Sequence, residues 1–275
     1  MLSASLFTAL GALIVFLWLA VGTCIYVSLI RQIRARQSDT TSTSSVGSPR
    51  TFGLAEAVLA AALVSLLLLN LIAAISRTTI TQLSNRDLVA NFLFTLVVVF
   101  FVAAFLKLRG FNLDSLGGFS KISFGRAAST GTILLLAAWP LLLLVEAIAR
   151  RAFDGGSSNQ EIVDLFNSSH TIEQRILIII LAVSVAPIAE EFIFRFFLYG
   201  VFKRYFGRFV GLTLNAVLFA AVHAHWPSFA PLFVLGTCFT LAYEWSGSIL
   251  VSMTMHSLFN SLNLFFLAFP QLFQQ

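Results

Sequence analysis

ILIIILAVSVAPIAEEFIFRFFLYGVF, residues 176–202, decides the fold. The stretch is apolar for longer than the ~30 Å of a bilayer's hydrocarbon requires of a helix. Yet it carries Glu190, Glu191 and Arg195 within six positions, with apolar neighbours on both sides. Each such charge costs about 2.5–3.5 kcal/mol at the centre of a membrane helix, so three together call for a reason. Glu191 and Arg195 are four apart and pair along one helix face. Glu190 points about 100° away and is free to face a cavity. Pro187, one turn earlier, removes a backbone hydrogen bond and is expected to kink or loosen the helix beside the carboxylates.

Outward from this stretch, long apolar runs recur to both ends of the chain. Spans are expected at Leu6–Ile30, Leu54–Ile75, Leu88–Leu108, Ala127–Ala149, Ile172–Phe202, Phe209–His225, Phe229–Trp245 and Ser248–Phe269. The fold class is therefore all-α: a polytopic transmembrane helix bundle of about eight spans, with a catalytic core in the last four. Hydrocarbon leaves an open chain no other way to satisfy its backbone. The alternating pattern of a transmembrane barrel is absent. Composition agrees: 58% of residues are hydrophobic and 11% charged, where soluble domains carry near a quarter charged.

Four regions follow. Residues 1–36 form an N-terminal anchor, retained because no basic segment precedes its apolar run and Arg31, Arg34 and Arg36 follow it. Residues 37–50 are a Ser/Thr-rich linker. Residues 51–170 hold accessory helices, and 171–268 hold the core. Two loop segments have interfacial character: 110–126, with Phe111, Leu113, Leu116, Phe119 and Phe124, and the piece around Ile162, Val163, Leu165 and Phe166.

The formal net charge of +5 does not indicate nucleic-acid binding, because the basic residues are scattered through short loops. They follow the positive-inside rule instead. One set of segments carries Arg31/Arg34/Arg36, Lys107/Arg109/Lys121/Arg126 and Lys203/Arg204/Arg208. Assigned to the cytoplasm, this set leaves both termini outside. The membrane expected is the bacterial cell (inner) membrane. Cys24 and Cys238 fall inside apolar runs and read as packing residues.

Two further helices carry polar residues at helical spacing. The sixth span has Phe219 and His223, the eighth His256 and Asn260. Counting inward at 1.5 Å per residue puts Glu190 roughly 20 Å from Lys203, His223 roughly 22 Å from Arg208 and Asn260 roughly 20 Å from Gly247, with His256 one turn shallower. Matching depth on three helices argues for one site rather than separate polar cross-links. His225, on the other face beside Trp226-Pro227, reads as a helix-end residue.

These residues closely resemble the CPBP family of intramembrane proteases, which includes type II CAAX prenyl endopeptidases and bacterial Abi-type proteins. EExxxR appears as Glu190-Glu191-Phe-Ile-Phe-Arg195, FxxxH as Phe219-Ala-Ala-Val-His223 and HxxxN/D as His256-Ser-Leu-Phe-Asn260. The resemblance covers roughly 171–268. It implies a glutamic endopeptidase in which Glu190 and His223 activate a water, and His256 and Asn260 steady the oxyanion. Glu191, Arg195 and Phe219 support them. It implies neither cofactor nor metal, and a peptide or protein substrate at the membrane, among lipid.

Two rivals stay open at this point. Two His and two Glu are a possible zinc set, though without a compact HExxH. A non-catalytic scaffold, immunity factor or transporter is the other, although no pair of matching broken helices points to a transporter.

Overall fold

The computed structural model describes residues 2–39, 50–76, 85–152, 166, 169, 171–269 and 271. Most of the expected linker, and Ile162, Val163 and Leu165, lie outside the described residues. The described chain is all-α: α1 (Leu2–Asp39), α2 (Leu54–Ile75), α3 (Asn85–Leu108), α4 (Leu113–Gly117), α5 (Phe124–Ala152), α6 (Ile172–Phe206), α7 (Arg208–Ala221), α8 (Trp226–Ser246) and α9 (Ile249–Ala268). Among the described residues, seven helices are long and apolar enough to cross a membrane. The protein is an integral, multi-pass membrane protein.

The expected span at Phe209–His225 differs from the rest. Its helix, α7, has only 14 residues and ends at Ala221. At 1.5 Å per residue that is about 21 Å, short of the hydrocarbon thickness. His223 therefore lies in the turn beyond the helix, and His225 is the N-cap of α8, with Pro227 in its first turn.

α6 carries the second departure from regularity. Wide π turns at Leu181–Val185 and Phe192–Leu198 flank a short α segment, Ala186–Glu191, that holds both carboxylates. The loosening expected at Pro187 thus takes the form of a π turn just upstream of it. Glycine ends the helices around the core. Gly207 at φ +79° separates α6 from α7, and Gly247 at φ +67° closes α8 two residues before α9. Side chains rarely adopt these left-handed conformations.

Burial sorts the helices into centre and periphery. In α1, α2 and α3 only 11% of the most apolar window is buried, against 44% in α6 and α8. Residues such as Phe16, Val58, Leu69, Phe100 and Phe101 on those outer helices are exposed, as suits a lipid-facing surface. The core gathers on α6, where Phe194, Phe196, Phe197 and Leu198 pack with Phe219 of α7 and Phe239 of α8.

Polar contacts tie the helix ends together. Arg36 Nη1 donates to the Trp245 carbonyl at 2.8 Å, and Arg208 Nη1 to the Ile33 carbonyl at 2.8 Å. Glu244 receives Lys203 Nζ at 2.7 Å and Tyr199 Oη at 3.0 Å, with Arg208 Nε 2.7 Å away. Tyr243 Oη donates to Leu116 O at 2.8 Å, which brings the α3–α5 connection to the same end. All three basic sets expected on one side therefore meet at one end of the bundle.

Three expectations are corrected. Phe111 does not rest on an interface; it is buried, stacked on Phe52 with ring centroids 5.2 Å apart, while Phe119 and Phe124 of that segment are exposed. Phe166 is buried against Ile178 and Leu264 rather than lying at the surface. Cys238 is buried as a packing residue, but Cys24 is exposed.

Candidate active site

Glu191 is the most enclosed carboxylate in the site. It is fully buried, as is its partner Arg195 one turn on, whose Nη1 donates to Oε1 at 2.9 Å. Taking both charges out of water costs several kcal/mol each, and only good geometry offsets that. Here aromatic faces help. The Arg195 guanidinium lies 4.3 Å from the Phe219 ring centroid and 5.1 Å from that of Phe239, close enough for cation–π attraction. Arg195 Nη2 also donates to the Gly236 carbonyl at 3.3 Å. A Cβ at Gly236 would stand 3.0 Å from the Phe219 ring and 3.4 Å from Arg195 Nη2, so α8 approaches closely there.

His256 of α9 completes this arrangement. It is buried, and its Nδ1 lies 3.1 Å from Glu191 Oε1. An ionised carboxylate only accepts, so Nδ1 is the donor and Nε2 faces the other way. Glu190 Oε2 is 3.8 Å from that Nε2. Glu190 is partly exposed, but Oε2 itself is enclosed and takes no hydrogen bond among the described residues. Its lone pairs are uncommitted beside an imidazole, in a low-dielectric surround.

His223 approaches from α7. Its Nδ1 is 2.7 Å from the Phe219 carbonyl, which again only accepts, so Nδ1 carries a proton and Nε2 is left as an acceptor. This bond also serves a carbonyl at the end of α7, where helices leave their last carbonyls unpaired. The imidazole packs edge-on against Phe219, centroids 4.9 Å apart, and Phe219 in turn stands 5.8 Å from His256. Phe219 thus separates and orients the two imidazoles while its face carries Arg195.

The expected residues fall into two groups. Glu190, Glu191, Arg195, Phe219 and His256 meet directly, with His223 joined through Phe219. Asn260 stands one turn beyond His256, and its Nδ2 donates to the Ala182 carbonyl at 2.8 Å rather than to the carboxylates. The depth count placed Asn260, not His256, level with Glu190. The count assumed a regular 1.5 Å per residue and took no account of the π turn at Phe192–Leu198, which lies between Glu190 and Lys203.

Several residues here carry no motif. Gly236 O also accepts from Thr240 Oγ1 at 2.8 Å, and Asn215 Nδ2 donates to Thr240 Oγ1 at 3.2 Å. Both side chains are fully buried, so a polar chain runs from Asn215 to Arg195 and on to Glu191 and His256. Asn215 was detectable as an amide inside an apolar run, but nothing in the spacing linked it to Arg195.

Among the described residues, no three His, Cys, Asp or Glu side chains gather as a metal-holding set. Both imidazoles keep Nε2 without a hydrogen bond among the described residues, whereas Glu191 is engaged by Arg195 and His256.

Residues 172–262 match the family model of type II CAAX prenyl endopeptidases, Rce1-like. The matched segment spans α6 to most of α9 and contains every residue of the three motifs. At the level of the family it is similar to CAAX-type intramembrane proteases, consistent with the CPBP resemblance. No curated protein and no solved structure matches the chain.

Proposed function

We propose that this protein is a glutamic intramembrane endopeptidase that cleaves a membrane-associated protein or peptide with a Glu190-activated water. The enclosed, unpartnered Oε2 of Glu190, 3.8 Å from His256 Nε2, carries the reading. A carboxylate with free lone pairs in a dry setting is suited to take a proton from water. His223 Nε2, left as an acceptor, helps hold and orient that water.

The hydroxide so formed adds to the scissile carbonyl carbon, and negative charge builds on its oxygen. His256, its Nδ1–H held by Glu191, turns its other ring nitrogen toward that oxygen, where a proton on it is donated to the developing charge. The C–N bond then breaks, and Glu190 returns its proton to the departing amine. Arg195 and Glu191 do not touch the substrate; they hold His256.

The matched family makes a prenylated peptide ending in a CAAX sequence the first substrate to try. The test compares such a peptide with purified wild type and Glu190→Gln, alongside mass spectrometry of new peptide termini in membranes from cells carrying each form. Gln keeps the shape but accepts no proton, so turnover falls by about 10²–10⁴-fold. Near-normal turnover by Glu190→Gln overturns the glutamic mechanism.

A further inference from the structure

Pro187 leaves one carbonyl of α6 without a backbone donor. In the π turn at Leu181–Val185, the N–H of Ala186 reaches back five residues to the Leu181 carbonyl. The next donor in that register belongs to residue 187, which stands five beyond Ala182, and proline has no N–H. The buried Ala182 carbonyl is therefore an acceptor that its own helix does not serve. In hydrocarbon no water fills such a gap, and an unmade backbone bond is costly.

Asn260 of α9 fills it, donating through Nδ2 at 2.8 Å. One turn earlier on the same helix face, His256 Nδ1 meets Glu191. Two polar anchors four residues apart thus join α9 to α6, one at Ala182 and one at Glu191. Both are satisfied in a single register, because a slip of one residue turns either side chain by about 100°.

We propose, building on the reading of Glu190 and His256 as reactive groups, that Asn260 is a positioning residue whose carboxamide replaces the amide proton missing at Pro187 and so fixes the register in which α9 presents His256 to both carboxylates. A residue that instead served the oxyanion directly would be indifferent to the identity of residue 187.

A double-mutant cycle separates the two roles. Full-length protein carrying Asn260→Ala, Pro187→Ala or both is purified in detergent and followed by thermal midpoint and by cleavage of the prenylated CAAX peptide. Asn260→Ala lowers the midpoint by about 2–4 °C in the Pro187 background. With Ala at 187, the backbone supplies its own donor and the same change lowers it by less than half as much. In an active Pro187→Ala background, Asn260→Ala reduces kcat at least tenfold less than it does beside Pro187. Equal midpoint effects in both backgrounds, or no recovery of kcat, overturn the proposal.

If Pro187→Ala yields no folded protein, Asn260→Leu decides. That apolar near-isostere leaves Ala182 unserved and lowers the midpoint, whereas an unchanged or raised midpoint overturns the latch. If the wild type cleaves no such peptide and no Glu190-dependent termini arise in membranes, the protease reading fails on its own while the midpoints still decide the role of Asn260.

Discussion

His256 Nδ1 and Glu191 Oε1 stand 3.1 Å apart, bridging α9 and α6 at a point where neither group reaches solvent. The contact distinguishes the second Glu of the pair from the first. Glu191 is held from both sides, by Arg195 and His256, while Glu190 keeps an uncommitted oxygen. Two adjacent residues of one type thus meet different surroundings, about 100° apart on the helix.

Arg195→Ala strands Glu191 as a buried carboxylate without its guanidinium partner. Breaking such a pair on one side costs about 3–5 kcal/mol. The expected result is a sharp drop in monodisperse yield from detergent. Replacing both residues together, by Gln at 191 and Met at 195, recovers much of that yield, because no charge is left unpaired. Normal yield from Arg195→Ala alone would show that the ion pair contributes little.

Gly22 lets α1 lie directly on α5, where a side chain would run into the Ala137 carbonyl. Trp18 Nε1 donates to Leu136 O and Tyr26 Oη to Leu134 O on either side of this contact, both at 2.9 Å. Gly22→Val forces the helices apart, with an overpacking cost of about 1–3 kcal/mol. The thermal midpoint should fall, and the change in Trp18 environment should appear as a shift in tryptophan emission relative to Trp18→Phe controls. Unaltered midpoint and emission would mean that α1 docks elsewhere.

Chelation tests the mechanism from another side. With Glu190 acting directly on water, exhaustive treatment with a strong zinc chelator leaves cleavage of the prenylated peptide within about twofold of the untreated rate. Activity lost on chelation and restored by zinc alone would establish the metalloprotease reading.

Sidedness is open to labelling. With Arg36, Arg208 and Lys203 gathered at one end, the positive-inside rule predicts that the linker around Ser42–Ser48 is cytoplasmic. Single cysteines introduced there should resist a membrane-impermeant maleimide applied to intact cells and react after permeabilisation. Labelling of intact cells at full extent reverses the orientation.

Much of this was legible from residue types. Helices followed from apolar length, because the bilayer removes the alternatives, and the charged cluster in α6 pointed to its own site because hydrocarbon makes such residues expensive. What remained hidden depends on local backbone geometry. The π turns of α6 leave no mark in composition, and one of them lies between the carboxylates and the Lys203 end from which depth is counted. α7 could not be told from a full span, because the apolar run Phe209–His225 continues past the residue where the helix ends. The link from Asn215 through Thr240 and Gly236 to Arg195 crosses three helices, and no spacing within one segment encodes it.

The shortness of α7 has a consequence for supply. The proposed hydrolysis consumes one water molecule per turnover, and a ring of full-height helices would wall its site off from both aqueous phases. α7 stops after 14 residues, and the chain turns over through His223 to an exposed Ala224 and a Trp226 left 64% exposed. His223 stands in that turn, beside these exposed residues. A helix of about 21 Å thus leaves it where the proposed reaction would draw its water.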